Sequence, residues 1–221
     1  GGLAKLKTLV DRIRAVQPKA LLLDAGDWSE GHLHFNTDAG SGILKIFEAI
    51  GFNAAVVGNH DFVNGPTELA NTIERANPRF PILGANKDFS NVIDRSRVES
   101  YIKDYVILEA TPGVKVAVVG LLTEEMPFYE YFKPGVITSA SRRAAEITNK
   151  IYAEKLADVI VLLSHNSFDY NVRLAKEVPW VNVVISGHSH VKTAKPVEVT
   201  NGGLPAYVVE AKQWGQFLGE M

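Results

Sequence analysis

The strongest constraint on this chain is a series of unbroken apolar runs, each set apart from the next by a segment with helical spacing. "ALLL" at 20–23 precedes "DAGD", and a continuous run of this kind suits a strand buried on both faces of a sheet. Before it, Leu3, Leu6, Leu9, Val10, Ile13 and Val16 recur at helical spacing until Pro18 closes the segment. "ILKIFEAIGF" (43–52) then reads as helix, "AAVVG" (54–58) as strand, "TELANTIERA" (67–76) as helix and "PILGAN" (81–86) as a short strand. "YVILEA" (105–110) and "VKVAVVGLL" (114–122) are strands joined through Thr111, Pro112 and Gly113, a hairpin signal. A helix over 141–157, a strand over 158–165, a helix over 170–178 and a strand over 181–190 follow. "PAYVVEA" (205–211) and "WGQFLGEM" (214–221) read as two closing strands. No repeat, low-complexity segment or linker interrupts the series, so one α/β domain with some antiparallel pairing is expected across 1–221.

The runs share a second property. They exit into polar groups: "DAGD" after 20–23, "GNHD" after 54–57, "SHN" at 164–166 and "SGHSH" at 186–190. In open α/β sheets the carboxyl ends of the strands face one crevice, so these groups converge in space while lying far apart in sequence. Imidazole nitrogens with carboxylate and amide oxygens, and no thiolate, suit Zn, Mn, Fe or a related divalent ion. A carboxylate such as Asp27 can bridge two such ions about 3.5–4 Å apart and activate water between them, an arrangement that serves in-line displacement at phosphorus.

Composition narrows the alternatives. Lys and Arg number 23 against 25 Asp and Glu, and the net charge of −2 gives no electrostatic footprint for nucleic acid or an anionic membrane. Any phosphate must be held by something other than bulk positive charge. The chain has no cysteine, which excludes disulfides, thiolate zinc sites and cysteine nucleophiles while leaving the compartment open. No apolar run reaches the roughly 18 residues of a membrane span, and the N-terminus lacks the pattern of a signal peptide.

Each polar residue also has an ordinary reading when taken alone. Asp27 after Gly26 could be a turn or cap residue, Asn59 beside Gly58 a left-handed turn residue, and His165 a hydrogen-bonded packing residue. "GHSH" resists that treatment, because His188 and His190, two apart on an extended segment, point the same way. The joint occurrence at four strand exits favours a site. His32 and His34 form a second H-x-H in "SEGHLHF", read as a solvated loop with an accessory ligand pair as the alternative. Asp24 reads as a holder of loop amides, and Trp28 as packing beneath the site.

Taken together, "GDW…EG", "GNHDFVNG", "SH" and "GHSH" resemble, in order and spacing, the calcineurin-like metallophosphoesterases. "GGLAKLKTL", "LLLDAGD", "FPILGAN", "GVKVAVVGL" and "VVEAKQWGQFLG" narrow the resemblance to the branch of 5′-nucleotidases, UDP-sugar hydrolases and cyclic-nucleotide phosphodiesterases. It implies a four-layer α-β-β-α sandwich of mixed sheets flanked by helices, holding two divalent metal ions. By position Asp27 bridges both ions, Asn59, His165 and His188 complete one, and His190 contributes to the other. His60 matches the catalytic histidine, which stabilises developing charge at the phosphoryl group and protonates the leaving oxygen, while a metal-bound hydroxide attacks. The implied substrate is a small phosphate ester, foremost a nucleotide, and the implied location is periplasmic or secreted.

Three departures from the family pattern accompany these matches. The family's D-x-H strand, which precedes the opening helix, is expected to be missing from this chain, as is the C-terminal domain that binds the base. Nucleotidases of this branch usually read G-N-H-E-F-D, with an Asp three residues after the His to orient it. Here Val63 stands in that place and Asp61 takes the position of the Glu, which leaves the orienting role unassigned. Two other functions fit the same motifs: hydrolysis of a different ester on this scaffold, and a non-catalytic domain kept for binding.

Overall fold

The computed structural model describes residues 2–31, 33–126 and 128–221, and all their side chains but those of 33, 34 and 36. The apolar runs become strands and the helix-spaced segments become helices, and the two halves of the chain each build one sheet. In the first half, α1 (Leu3–Val16), β1 (Leu23–Asp24), α2 (Leu33–Asp38), α3 (Ser41–Ile50) and β2 (Ala54–Val56) lead to a 3-10 turn at Asn59–Phe62. Then come α4 (Gly65–Ala76), β3 (Ile82–Leu83), β4 (Lys87–Asp88), α5 (Arg95–Tyr101) and β5 (Ile102–Lys103). Strands pair in the order β1-β2-β3-β5, all parallel.

The second half contains β6 (Tyr105–Thr111), β7 (Val114–Leu121), α6 (Tyr129–Phe132), β8 (Val136–Ile137), α7 (Ala140–Ala153), β9 (Val159–Ser164), α8 (Phe168–Glu177) and β10 (Val183–Ser186). It ends with β11 (Val197–Asn201) and β12 (Leu204–Glu210). The six strands run β11-β12-β10-β9-β7-β6, with parallel pairing in the centre and an antiparallel pair at each edge. A short antiparallel pair, β4 with β8, ties the halves together.

Alternation along the strands sorts side chains into three apolar layers. Ala55 and Val57 face α1, α3 and α4, with Val10, Leu44, Phe47, Leu69 and Ile73. Ala54, Val56 and Leu83 face the other way, onto Val116, Val118, Val161 and Leu163 of the second sheet. Ala117, Val119, Ile160 and Leu162 lie on that sheet's far side, under Ala144, Ile147 and Ile151 of α7 and Leu174 of α8. Two sheets back to back with helices outside give the α-β-β-α sandwich expected from the resemblance, and both faces of the central strands are buried as their unbroken hydrophobicity requires.

The C-terminal end differs from expectation. Residues 214–221 form no strand. The partner of β12 is β11, joined to it through Gly202 and Gly203, both at positive φ, and β10 occupies the other edge of β12. No edge of β12 remains for a further strand. The helix expected over 141–157 stops at Ala153, because Lys155 takes a left-handed φ of 52°.

Asp104 sits where the chain crosses from the first sheet to the second, accepting from Lys87 Nζ on β4 and Arg143 on α7, each at 2.6 Å. Burial pushes its carboxyl pKa up, and the two cations more than reverse this, leaving it below the usual carboxylate value. A depressed folded-state pKa stabilises fully above the unfolded pKa and loses that contribution as pH falls through the folded value. Asp104→Asn is therefore expected to cost about 1–2 kcal/mol at neutral pH. Urea denaturation is expected to show the gap from wild type closing below about pH 3.9, the unfolded carboxylate pKa.

Candidate metal centre and active site

The carboxyl ends of β1 and β2 from one sheet, and of β9 and β10 from the other, open on a cleft of about 2210 Å³ lined by Asp27, His60, His165, His188 and His190. The cleft continues along the edge of β1 that pairs with no strand among the described residues, walled by Leu21, Leu23, Val161, Val183 and Ile185.

Close backbone approach brings the exits together. A Cβ at Gly58 would stand 2.4 Å from the Asp27 amide nitrogen, and one at Gly26 would stand 2.6 Å from His165 Nδ1. Only glycine permits these contacts, and Gly26 also has a φ of 95°. Asp61 then fastens the two loops from below. Its carboxylate accepts from the Gly58 amide at 2.7 Å, and from the Asp27 and Ser29 amides at 2.9 Å each. Burial first, and then the neighbouring Asp27 charge, push the Asp61 carboxyl up to about 7, while the Gly58 amide, the His165 charge and the Ser29 amide pull the other way. Asp24 accepts from Gly26 N at 3.0 Å, as a holder of loop amides should, and burial lifts its carboxyl to about 7.

Held in this way, Asp27, with a left-handed φ of 63°, aims Oδ2 at His165 Nε2 at 3.0 Å, and Asn59 Oδ1 lies 3.1 Å from the same nitrogen. His165 is 1% exposed and Asn59 2%. The other ring nitrogen, Nδ1, meets the Ala25 carbonyl at 2.6 Å. A carbonyl can only accept, so the Nδ1 proton is fixed there and the neutral ring presents its Nε2 lone pair. With the ring neutral, a nitrogen lone pair, a carboxylate oxygen and an amide oxygen converge at the floor of the cleft with no donor among them. That is the electronic demand of a cation. Burial alone would push the His165 imidazole pKa down, yet the Asp27 charge and hydrogen bond leave it raised, which records the same negative potential. His188 completes the set: Asp27, His165 and His188 each offer a ligand atom within 4.8 Å of the others. His188 Nε2 meets Glu125 Oε2 at 3.0 Å, which leaves Nδ1 as the nitrogen that could face a metal.

The structure thus brings together Asp27, Asn59, His165 and His188. His190 lines the same cleft but is exposed at its rim, 6.2 Å between ring centroids from Trp214, and lies outside the group of three. The extended H-x-H geometry is corrected: β10 ends at Ser186, and His188 and His190 both have positive φ, 73° and 58°. His60 stands at the mouth, its side chain 50% exposed and its Nδ1 bonded to Glu30. Burial depresses its pKa, but Glu30 and Asp27 raise it on balance. Trp28 is buried beneath the loop. His32 and the His34 side chain lie outside the described residues.

Sequence reasoning missed three carboxylates here: Glu30, Glu125 and Glu210. Glu210 accepts from Ser186 Oγ at 2.6 Å and Val191 N at 2.8 Å, bracing the loop that carries both histidines. Glu125 and Glu210 follow or end strands β7 and β12, so the strand-exit rule applied to every strand would have found both.

Comparison with known proteins agrees with the geometry. The family model described as calcineurin-like phosphoesterase matches residues 1–192. A trifunctional nucleotide phosphoesterase of Bacillus subtilis is 32% identical over 250 residues, covering 99% of this chain and 17% of the relative. A snake venom 5′-nucleotidase of Crotalus adamanteus is 32% identical, covering 99% of this chain and 39% of its own. Among solved structures, a 5′-nucleotidase precursor of Thermus thermophilus superposes with a TM-score of 0.86 at 28% identity, over 98% of this chain and 44% of that one. The chain therefore spans less than half the length of each of these relatives.

Asp61→Ala is expected to leave three amide donors without their acceptor, one of them Asp27's own and another that of Gly58, next to Asn59. Unfolding free energy should fall by about 2–4 kcal/mol. Urea denaturation in the presence of a chelator separates this loss from any loss of metal.

Proposed function

The chain belongs to the calcineurin-like phosphoesterase family, and from that premise we propose that its cleft hydrolyses phosphate esters of nucleotides with the aid of two divalent metal ions. The observation that carries the proposal is the convergence of Asp27 Oδ2, Asn59 Oδ1 and the lone pair of His165 Nε2 in a pocket without a donor. Asp27, Asn59, His165 and His188 would hold one ion, and Asp27 with the rim residue His190 would hold the second. Zn, Mn or Fe suits this nitrogen and oxygen set. The open edge of β1 and the apolar channel beside it support a further strand of the complete protein at that edge, carrying the family's D-x-H ligands.

When bound, the ions supply positive charge for the phosphoryl oxygens and lower the pKa of coordinated water. The remaining work falls to the chain's own residues. Asp61 and the glycines hold the two loops against each other, so that ligands from separate strands keep their spacing. His60 Nδ1 is engaged by Glu30, which leaves Nε2 to meet substrate and give a proton to the leaving oxygen. The net charge of −2 offers no other compensation for a phosphate dianion. A nucleotide substrate is supported by the relatives named as nucleotidases, and a periplasmic or secreted location by the relative named from snake venom. No described helix is long and apolar enough to cross a membrane.

Removing metal from the intact protein with a chelator is expected to abolish turnover of a nucleoside 5′-monophosphate, and adding Zn or Mn to restore it. His60→Asn is expected to lower kcat by about 10²–10⁴-fold with metal content unchanged. Turnover that survives thorough chelation, or a His60→Asn protein as active as wild type, would contradict the reading.

A further inference from the structure

The structure assigns Glu30 as the residue that orients His60, from the loop following β1 and across a gap of thirty positions in the sequence. This inference rests on the catalytic role proposed for His60. A histidine at the mouth of a cleft, half exposed, has two rotatable bonds and two tautomers, and a carboxylate on Nδ1 fixes both.

Glu30 Oε2 bonds His60 Nδ1, and no other described carboxylate makes that contact. The neighbouring acids are otherwise engaged. Both oxygens of Asp61 accept backbone amides, at Gly58, Asp27 and Ser29. Asp27 Oδ1 accepts from the His60 amide rather than the ring, and its Oδ2 faces His165. The turn that carries His60 offers nothing of its own, because residues three apart eclipse in a 3-10 turn and the residue three after His60 is the apolar Val63.

Glu30 is also well anchored. The preceding residue, Ser29, is 1% exposed, donates its amide to Asp61 and gives its hydroxyl to the His60 carbonyl at 3.0 Å. The loop bearing the carboxylate is thus tied to the turn bearing the imidazole, and a change that moves one carries the other with it. Glu30 is a positioning residue: both side chains border the cleft, and Glu30 acts through the ring rather than on substrate.

The test is a double-mutant cycle in the intact, metal-loaded protein, with Glu30→Ala, His60→Asn and the double variant assayed on a nucleoside 5′-monophosphate. Glu30→Ala is expected to lower kcat about 10–100-fold, with KM within about twofold and metal stoichiometry unchanged. Added to His60→Asn, it should have no further effect beyond about twofold. Full additivity in the double variant, loss of metal on Glu30→Ala, or a Glu30→Ala protein as active as wild type would overturn the assignment while leaving the phosphoesterase reading intact. If wild type shows no turnover, that reading fails instead, and NMR of histidine-labelled protein decides the pairing. A downfield Nδ1 proton that vanishes in both His60→Asn and Glu30→Ala supports it, and a spectrum unchanged by Glu30→Ala overturns it.

Discussion

Everything else in this molecule answers to one buried meeting of like groups. Asp27 Oδ2 and Asn59 Oδ1 both face the lone-pair nitrogen of His165, whose proton is held on the far side of the ring by Ala25. Without a cation, either His165 is protonated or these acceptors stand opposed at the floor of the cleft, where Asp27 is only partly exposed. The charge and hydrogen bond of Asp27 outweigh burial and hold the His165 pKa above its ordinary value, the direction that a negative potential at that nitrogen gives. A divalent ion satisfies all three groups at once, which is why the pocket is better understood as a metal centre than as a packed polar core.

The two-sheet architecture is what makes that meeting possible. Asp27 and Asn59 come from the first sheet, His165 and His188 from the second, and the apolar layer of Val56, Leu83, Val118 and Leu163 fixes the sheets face to face. Glycine at 26 and 58 then lets backbone, rather than side chains, close the last few ångströms. Such placement is costly in buried polar groups, and Asp61 and Glu210 offset the cost by satisfying loop amides on the two sides of the cleft. Burial raises the pKa values of both, and that of Asp24 likewise, as expected of groups retained for position rather than for charge.

Much of this was legible in the sequence, for a physical reason. Strands buried on both faces cannot hide polar residues, so Asp27, Asn59, His165 and His188 stood out at the ends of apolar runs. What escaped was whatever depends on partners distant in the chain. β11 has an exposed face and a weak pattern, and residues 214–221 have an apolar pattern but no free strand edge to join. The left-handed backbone at His188 and His190 cannot be read from H-x-H spacing, which assumes an extended segment. The sequence left the orienting role unassigned; Asp61 is a loop brace, while Glu30, inconspicuous beside "GHLH", reaches the His60 ring.

The central claim is that the convergent acceptors hold a metal ion. Anomalous diffraction from crystals of the intact protein, recorded at the absorption edge of the metal it carries, tests this directly. The account predicts a peak bounded by the side chains of Asp27, Asn59, His165 and His188. A difference map with no peak there, and His165 bonded to Asp27 with nothing between them, would contradict it.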